Sequence, residues 1–151
     1  SDGGIKFSGD IAKALAAGAD AIMMGSIFAG TEESPGKKFK INGKFYKQYR
    51  GMGSIGAMSS GSANRYSQRN FKDKSKYVPE GVEGRVEYKG NVSKIIYQLQ
   101  GGLRSSMGYI GASDLNQIKK NAKFIKITKA GFYESMVHSV EMTQKTINYK
   151  L

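Results

Sequence analysis

Residues 2–26 read DGGIKFSGDIAKALAAGADAIMMGS, and this stretch decides the fold. Ser8 is a predicted helix cap, and Gly18 suits the left-handed turn that ends a helix. Three apolar residues between them share one helical face: Ile11, Ala14 and Leu15. Residues 21–24 are apolar at every position, which is typical of a strand buried on both faces of a parallel sheet. Loop, helix, buried strand and glycine loop predict part of an α/β fold.

Two glycine turns flank this helix and strand, at residues 2–4 and 24–26. We expect them at the same end of neighbouring parallel strands. In barrel folds that end holds the active site, and its last loops bind phosphate through backbone N–H groups. Gly4, Gly25 and Ser26 fit such a cradle, and Asp2 fits a ribose hydroxyl contact. On the residues alone, two simple turns remain the alternative.

An Asn42-Gly43 pair lies between residues 39–41 and 44–47, which predicts a β-hairpin with a two-residue turn. The segment from Ser54 to Tyr77 is rich in Gly, Ser, Asn and Lys and lacks a sustained period. It therefore reads as a long loop, and long loops in compact domains are commonly mobile or functional.

Helical periodicity returns after Gly90 and predicts the clearest helix of the chain. Its expected buried face is formed by Val92, Ile95, Ile96, Leu99 and Leu103. A shorter helix is predicted from Ser113, followed by a strand at 124–128. Residues 131–151 are polar and weakly patterned.

The net charge of +12 is compatible with nucleic-acid binding, because a basic surface attracts polyanions. The lysines are spread out, however: Lys37, Lys38, Lys40, Lys44 and Lys47 flank the hairpin, and Arg69, Lys72, Lys74 and Lys76 lie in the polar loop. A solvated basic surface is therefore the preferred interpretation, and we do not expect nucleic acid as a partner. A basic, non-catalytic module that binds RNA or a mononucleotide stays open as an alternative.

The chain of 151 residues is the size of one ordinary domain and contains no cysteine. Cysteine nucleophiles, thiolate metal sites and disulfides are therefore excluded within it. Gly18, Asp20 and Gly25 interrupt the longest apolar run, well below the roughly 20 residues of a membrane helix. Because the sequence opens on Ser1-Asp2-Gly3 without methionine, we expect a piece of a longer polypeptide.

Seven short motifs occur in order along the chain. They are DGGI at 2–5, SGDI at 8–11, MGS at 24–26, GTEESPG at 30–36, YRGMGS at 49–54, RY at 65–66 and PEGVEGRV at 79–86. Together they resemble the C-terminal part of the inosine 5′-monophosphate (IMP) dehydrogenases, in a bacterial-like form. The resemblance continues through GGLRS at 101–105 and MGY at 107–109, so it covers essentially the whole chain.

The resemblance implies a (β/α)8 TIM barrel with an inserted β-hairpin and a mobile active-site flap. The chain would form the C-terminal segment of this one catalytic domain. Its expected parts are residues 1–36 for the last two barrel strands and phosphate loops, 37–53 for the hairpin, 54–88 for the flap and base-contacting turn, 89–112 for the last barrel helix and 113–151 for the tail.

The family oxidises IMP to xanthosine 5′-monophosphate (XMP) with NAD, in guanine nucleotide biosynthesis. A cysteine forms a covalent adduct that is then hydrolysed. This cysteine, most of the NAD site and the regulatory subdomain belong to the preceding part of the family's polypeptide, so the chain would need that part as its partner. The resemblance also implies a cytoplasmic homotetramer.

By motif position, the resemblance assigns roles to individual residues. Asp2 would hold the ribose hydroxyls, and the phosphate would be held by Gly4, Gly25, Ser26 and Tyr49. The hypoxanthine ring would contact Met52, Gly53 and Glu80. Arg65 and Tyr66 would lie on the flap that enters the dinucleotide site and activates water.

The residue types suit these roles, although each also has a structural explanation. Arginine is normally a poor base because its pKa exceeds about 12, but a neighbour such as Tyr66 and partial desolvation favour transient proton acceptance. Without the resemblance, Arg65 is a solvated arginine, Glu80 a surface charge and Tyr49 an aromatic residue packed at the end of the hairpin.

The resemblance further implies a potassium ion. Its ligands would be backbone carbonyls of Glu134, Ser135 and Met136, beside the catalytic loop of an adjacent subunit. Family members often have histidine at position 136. The lone His138 has no metal-ligand partners at useful spacing and is assigned to a surface or interface.

GMP reductase is the alternative enzyme. A reductase has no covalent intermediate to hydrolyse. The long flap with Arg65-Tyr66 and the Pro79-Glu80-Gly81 turn therefore favour the dehydrogenase.

Overall fold

A computed structural model describes residues 1–68 and 73–143. Within these residues the α-helices are α1 (Ser8–Ala16), α2 (Ser26–Ala29), α3 (Ile55–Ser59), α4 (Val92–Tyr109), α5 (Leu115–Asn121) and α6 (Lys129–Glu134). The strands are β1 (Lys38–Ile41), β2 (Lys44–Arg50) and β3 (Glu83–Glu87), and Ser62–Tyr66 and Lys74–Lys76 form 3₁₀ helices. The chain divides into two compact units. One comprises residues 1–24 and those from 93 onward, and the other comprises residues 25–92.

Helix α1 of the first unit is confirmed, with Ile11 and Leu15 buried. Its predicted cap is wrong, because Ser8 is the first helical residue and Phe7 precedes it. The Asp10 carboxylate instead accepts hydrogen bonds from the backbone N–H groups of Lys6 and Phe7. Partial burial raises the pKa of Asp10, but these bonds and Lys13 outweigh it, so the pKa lies below its usual value.

Residues 21–24 were predicted to form a strand that is buried on both faces, and the predicted burial is wrong. Met23 pairs with Asp2 through a single parallel bridge, and Gly3 N–H donates to Met23 O at 3.1 Å. Met23 is nevertheless 57% exposed, and Ala21 is exposed. A strand is buried on both faces only when other elements cover it, and this segment has one pairing neighbour in the described chain. The predicted parallel pairing of the two segments is confirmed at this bridge between Asp2 and Met23.

Helix α4 is confirmed, and Ile95 and Leu99 form its buried stripe. Ile96 does not belong to it, because its side chain is 41% exposed. Residues i and i+4 share a helical face, whereas the next residue is rotated by about 100°. Gly102 of α4 lies directly against Ser8, and a Cβ at Gly102 would overlap the Ser8 side chain.

Helix α5 begins at Leu115, two residues later than the predicted start at Ser113. Asp114 caps it by accepting hydrogen bonds from the N–H groups of Asn116 and Gln117 at 2.8 and 3.0 Å. Ile118 is 1% exposed and anchors the helix in the contact between α5 and α1.

The predicted strand at 124–128 is wrong. These residues form neither helix nor strand, and Phe124 and Ile125 are 66% and 82% exposed. A strand needs a hydrogen-bonding neighbour, and the described chain offers none to this segment. Helix α6 follows, capped by the Thr128 hydroxyl. The last eight residues of the predicted tail, 144–151, lie outside the described residues.

The second unit is built on a three-stranded antiparallel sheet in the order β1-β2-β3. The predicted hairpin is present, with Ile41 paired to Lys44 and positive φ angles of 47° at Asn42 and 79° at Gly43. Strand β3 was not predicted from the sequence. It pairs with β2 so that Arg50 lies opposite Glu83.

The segment from Ser54 to Tyr77 is more ordered than the predicted long loop. Its helices bury Ala57, Met58 and Ala63, and Met58 is 1% exposed. Ser54 caps α3 by accepting from the Ala57 N–H. Small apolar residues among Gly and Ser thus supply enough contacts for a local core. The predicted loop residues Arg69 and Lys72 lie outside the described residues.

Lys47 departs from the expected solvated basic surface. Lys47 is 4% exposed, and its ammonium donates to the carbonyls of Glu32 and Ser34. Lys89 is exposed, but its ammonium donates to Ile27 O at 3.2 Å, and partial desolvation lowers its pKa. A lysine stem packs against apolar surface readily, and carbonyl acceptors compensate the ammonium for lost water.

In the described part of the chain, no helix has the length and apolarity needed to cross a membrane.

Candidate functional site

The turn after β2 packs against the segment before β3. Gly53 O accepts hydrogen bonds from the N–H groups of Glu80 and Gly81 at 2.9 and 3.0 Å. Gly51 N–H donates to Val82 O at 2.9 Å. These backbone bonds bring two of the predicted base-contacting residues, Gly53 and Glu80, into direct contact.

Space favours glycine at position 53 and requires it at position 81. A Cβ at Gly53 would lie 3.0 Å from Tyr66 Cζ and 3.1 Å from Glu80 Cβ, so these neighbours would have to move slightly. At Gly81 a Cβ would lie 2.9 Å from the Ser54 backbone N, a distance that real Cβ atoms essentially never show. The close approach of the two backbones therefore depends on glycine at position 81.

The 3₁₀ helix Ser62–Tyr66 closes this arrangement. The Ser62 hydroxyl donates to Met52 O, and the Tyr66 ring lies over Gly53. The helix starts after Gly61, whose φ of 125° suits glycine. The predicted flap residues thus lie beside the predicted base-contacting residues.

The polar and reactive groups of this site are accessible. Glu80 and Arg65 are exposed, Met52 is 50% exposed and Tyr66 is half-buried. Gly53 itself is buried beneath them. We call Met52, Gly53, Arg65, Tyr66 and Glu80 the base-flap site. Its residues supply a carboxylate, a guanidinium, a phenol and a thioether.

The predicted phosphate residues of the same unit lie on two elements. Gly25 precedes α2 and Ser26 is its first residue, and both are exposed. Tyr49 lies on β2, half-buried and opposite Gly84. The Lys89 ammonium holds the α2 turn through the carbonyls of Ser26 and Ile27, a contact that sequence reasoning missed.

The remaining predicted nucleotide residues, Asp2 and Gly4, belong to the first unit. Asp2 is exposed at its parallel bridge with Met23. Gly3 and Gly4 follow with φ angles of 75° and 78°, which L side chains rarely adopt. Glycine suits both positions of this turn, and Gly4 is exposed.

Comparison with known proteins identifies the family. The model of the IMP dehydrogenase / GMP reductase domain matches residues 1–138. The chain belongs to this family. A protein of Chlorobaculum parvum named inosine-5′-monophosphate dehydrogenase is 57% identical over 150 residues, covering 98% of the chain and 30% of the relative. Proteins of the same name from Aquifex aeolicus and Cryptosporidium parvum are 56% and 55% identical, covering 98% of the chain and 30% and 37% of the relatives.

One solved structure that matches the chain is a GMP reductase variant from Trypanosoma brucei in complex with guanosine 5′-monophosphate. It is 45% identical with a TM-score of 0.78, over 93% of this chain and 28% of that one. This likeness confirms the α/β fold class. The chain spans about a third of the length of the curated relatives it matches.

The predicted potassium ligands lie at the end of α6 and just after it. Glu134 is the last helical residue, Ser135 is the C-terminal cap and Met136 follows. The last carbonyls of a helix have no intrahelical donor. His138 Nδ1 lies 2.9 Å from Met136 O, and His138 Nε2 lies 3.1 Å from the Glu134 carboxylate. Clusters of three or more His, Cys, Asp or Glu side chains suited to a metal are absent from the described part.

Two residues that make contacts at or beside the base-flap site, Ser62 and Glu83, were not predicted from the sequence. The predicted Pro-Glu-Gly turn did include Gly81, which follows Glu80 and donates its N–H to Gly53 O. The contacts of Ser62 and Glu83 could not be predicted from the sequence, since a single serine or glutamate in a polar segment forms no distinctive pattern.

Proposed function

We propose that the chain is the nucleotide-holding and flap-bearing part of an NAD-dependent IMP dehydrogenase that oxidises IMP to XMP. The contact of Tyr66 with Gly53, which is itself hydrogen-bonded to Glu80, carries this proposal, because it brings the proposed base-binding residues close to the helix that bears the proposed hydrolytic residues. The family membership and the names of the relatives support it. The activity would belong to a cytoplasmic homotetramer.

The site residues suit successive tasks. Met52 and Gly53 face one side of the hypoxanthine ring, and the Glu80 carboxylate accepts a hydrogen bond from a ring N–H. Arg65 accepts a proton from water as the covalent adduct is hydrolysed, and Tyr66 stabilises that state. NAD supplies the hydride acceptor, and most of its predicted contacts belong to the part of the family's polypeptide that precedes this segment.

The phosphate and ribose contacts extend the proposal. Gly4, Gly25, Ser26 and Tyr49 hold the phosphate through backbone N–H groups and hydroxyls, and Asp2 holds the ribose. The carbonyls of Glu134, Ser135 and Met136 bind potassium against an adjacent subunit. The negative end of the α6 dipole and its terminal carbonyls support that assignment.

A chimera tests the proposed function directly. Residues 1–151 replace the equivalent segment of the Chlorobaculum parvum relative, which is 57% identical. We expect the chimera to form XMP and NADH from IMP and NAD in the presence of potassium. The relative without this segment is the control and should form neither product. A folded chimera that forms no XMP would refute the proposal.

The same chimera distinguishes the alternative enzyme, which the Trypanosoma brucei structure brings forward. A GMP reductase converts GMP to IMP, releasing ammonia and consuming NADPH. Oxidation of NADPH that depends on GMP, with no NADH formed from IMP, would support the reductase. We expect the reverse, because the Arg65–Tyr66 pair serves a hydrolysis that the reductase lacks.

We predict that Glu80→Gln lowers kcat/KM for IMP by roughly fivefold. A charge-assisted hydrogen bond exceeds a neutral one by about 1 kcal/mol, and glutamine keeps an acceptor without the charge. Steady-state kinetics of the chimera with varied IMP measure this change. Glu141→Gln, an exposed carboxylate of the other unit, is the matched control. An unchanged kcat/KM would reduce Glu80 to a surface charge.

A further inference from the structure

Helix α3, at the start of the predicted flap, is held by side-chain contacts to both the N–H and the carbonyl of one residue, Gly56. The Gly56 N–H donates to Glu83 Oε1 at 2.7 Å. The Gly56 carbonyl accepts from Arg50 Nη1 at 3.3 Å, and the same Nη1 lies 3.3 Å from the Ser60 hydroxyl. A carboxylate and a guanidinium thus hold the first turn of α3.

These two side chains come from adjacent strands of the sheet. Arg50 ends β2 and Glu83 begins β3, and the two residues are cross-strand partners. The sheet register therefore places opposite charges side by side at the end of the sheet, where α3 starts. Both side chains are exposed, so placing the two charges here costs little desolvation free energy.

The helix terminus favours the Glu83 contact. The first N–H groups of a helix lack intrahelical acceptors, and a negative charge there is stabilised by the helix dipole. Ser54 satisfies the Ala57 N–H and Glu83 satisfies the Gly56 N–H. Glycine at position 56 leaves room for this contact, because a Cβ there would overlap the Glu83 carboxylate and displace it.

Helix α3 in turn supports the helix that bears Arg65 and Tyr66. The two helices contact each other, and Met58 and Ala63 are buried. Only Ser60 and Gly61 lie between α3 and the first 3₁₀ residue, Ser62. The position of α3 therefore determines where Arg65 and Tyr66 lie relative to Gly53.

We infer that Glu83, together with Arg50, is a positioning residue for the hydrolytic half of the reaction, acting on Arg65 and Tyr66 through α3. The inference rests on the proposed function for its kinetic consequence. The structural part of the inference, the hydrogen bond from the Gly56 N–H to Glu83, does not rest on the proposed function. Glu83 has no role in hydride transfer, since its contacts are with the flap root.

The kinetic test compares Glu83→Ala with Glu83→Gln in the chimera. Alanine removes the acceptor, whereas glutamine keeps an amide oxygen that can accept from the Gly56 N–H. We expect alanine to slow XMP release roughly tenfold, because misplaced catalytic groups lose rate steeply, and to leave the pre-steady-state burst of NADH within about twofold. Glutamine should restore turnover to within about twofold of the parent.

Amide hydrogen exchange provides a second, structural test of the inference. Amide hydrogen exchange at Gly56 should accelerate roughly tenfold in Glu83→Ala and stay near the parent rate in Glu83→Gln, because the lost acceptor frees the N–H to exchange. This measurement does not depend on turnover. An unchanged exchange rate in the alanine variant would overturn the inference, even in a chimera without activity.

The outcomes separate the two proposals. If the parent chimera is inactive but Glu83→Ala accelerates exchange at Gly56, the proposed function is refuted, whereas the hydrogen bond from the Gly56 N–H to Glu83 is supported. An active parent in which alanine slows the NADH burst and XMP release equally assigns Glu83 a merely structural role and overturns the positioning inference. Failure of Glu83→Gln to restore turnover would also overturn the positioning inference.

Discussion

Arg65→Ala is expected to slow hydrolysis of the covalent intermediate by about 10²- to 10⁴-fold, the usual contribution of a general base. Hydride transfer should be nearly unaffected. The difference follows from position, because Arg65 is exposed on the 3₁₀ helix whose Tyr66 ring covers Gly53. Hydride transfer needs a dry site, whereas hydrolysis needs water and a base. The two steps therefore depend on the flap differently.

Rapid-mixing kinetics of the chimera measure both steps. The burst of NADH reports hydride transfer, and the steady-state rate of XMP release reports hydrolysis. Arg104→Ala, which removes an exposed arginine from α4, serves as the matched control and should leave both rates unchanged. Equal slowing of burst and steady state by Arg65→Ala would remove the water-activating role.

Gly102→Ala is expected to lower the free energy of unfolding by about 1–3 kcal/mol, the usual cost of overpacking. A Cβ at Gly102 would overlap both side-chain atoms of Ser8, and Ser8 is 6% exposed. Rotation of the serine hydroxyl cannot relieve the contact with its Cβ, which is fixed to the α1 backbone. The backbones of α4 and α1 would have to separate.

The neighbouring glycine provides the control for this prediction. Gly101 lies in the same helix, and a Cβ there would meet nothing within 4 Å. Gly101→Ala should therefore raise the free energy of unfolding by about 0.5–1 kcal/mol through helix propensity. Urea denaturation of the 151-residue polypeptide measures both variants. Changes of the same sign at the two positions would contradict the close approach of α4 to Ser8.

Part of the base-flap site was accessible from the sequence. Gly53 and Glu80 were assigned to the same ring, and the structure brings them into contact through backbone hydrogen bonds. Local chemistry made this possible, because glycine and proline mark turns whatever surrounds them. The Asn42-Gly43 hairpin was predictable for the same reason.

Patterns that depend on distant partners were misleading. Residues 21–24 and 124–128 have the composition of strands, yet one forms a single bridge and the other forms no strand. An apolar run becomes a strand only when another backbone offers hydrogen bonds to it. In the opposite direction, β3 was missed, although its pairing with β2 sets the Arg50–Glu83 register.

The sequence by itself determined the family, the turns, the main helices and the residues whose chemistry suits a purine nucleotide. Those properties depend on local backbone preference and on residue type. Only the tertiary structure decided that Lys47 is buried, that Tyr66 lies on Gly53 and that Glu83 holds the Gly56 N–H. These contacts join residues far apart in sequence, and their free energy comes from groups that meet only when the chain has folded.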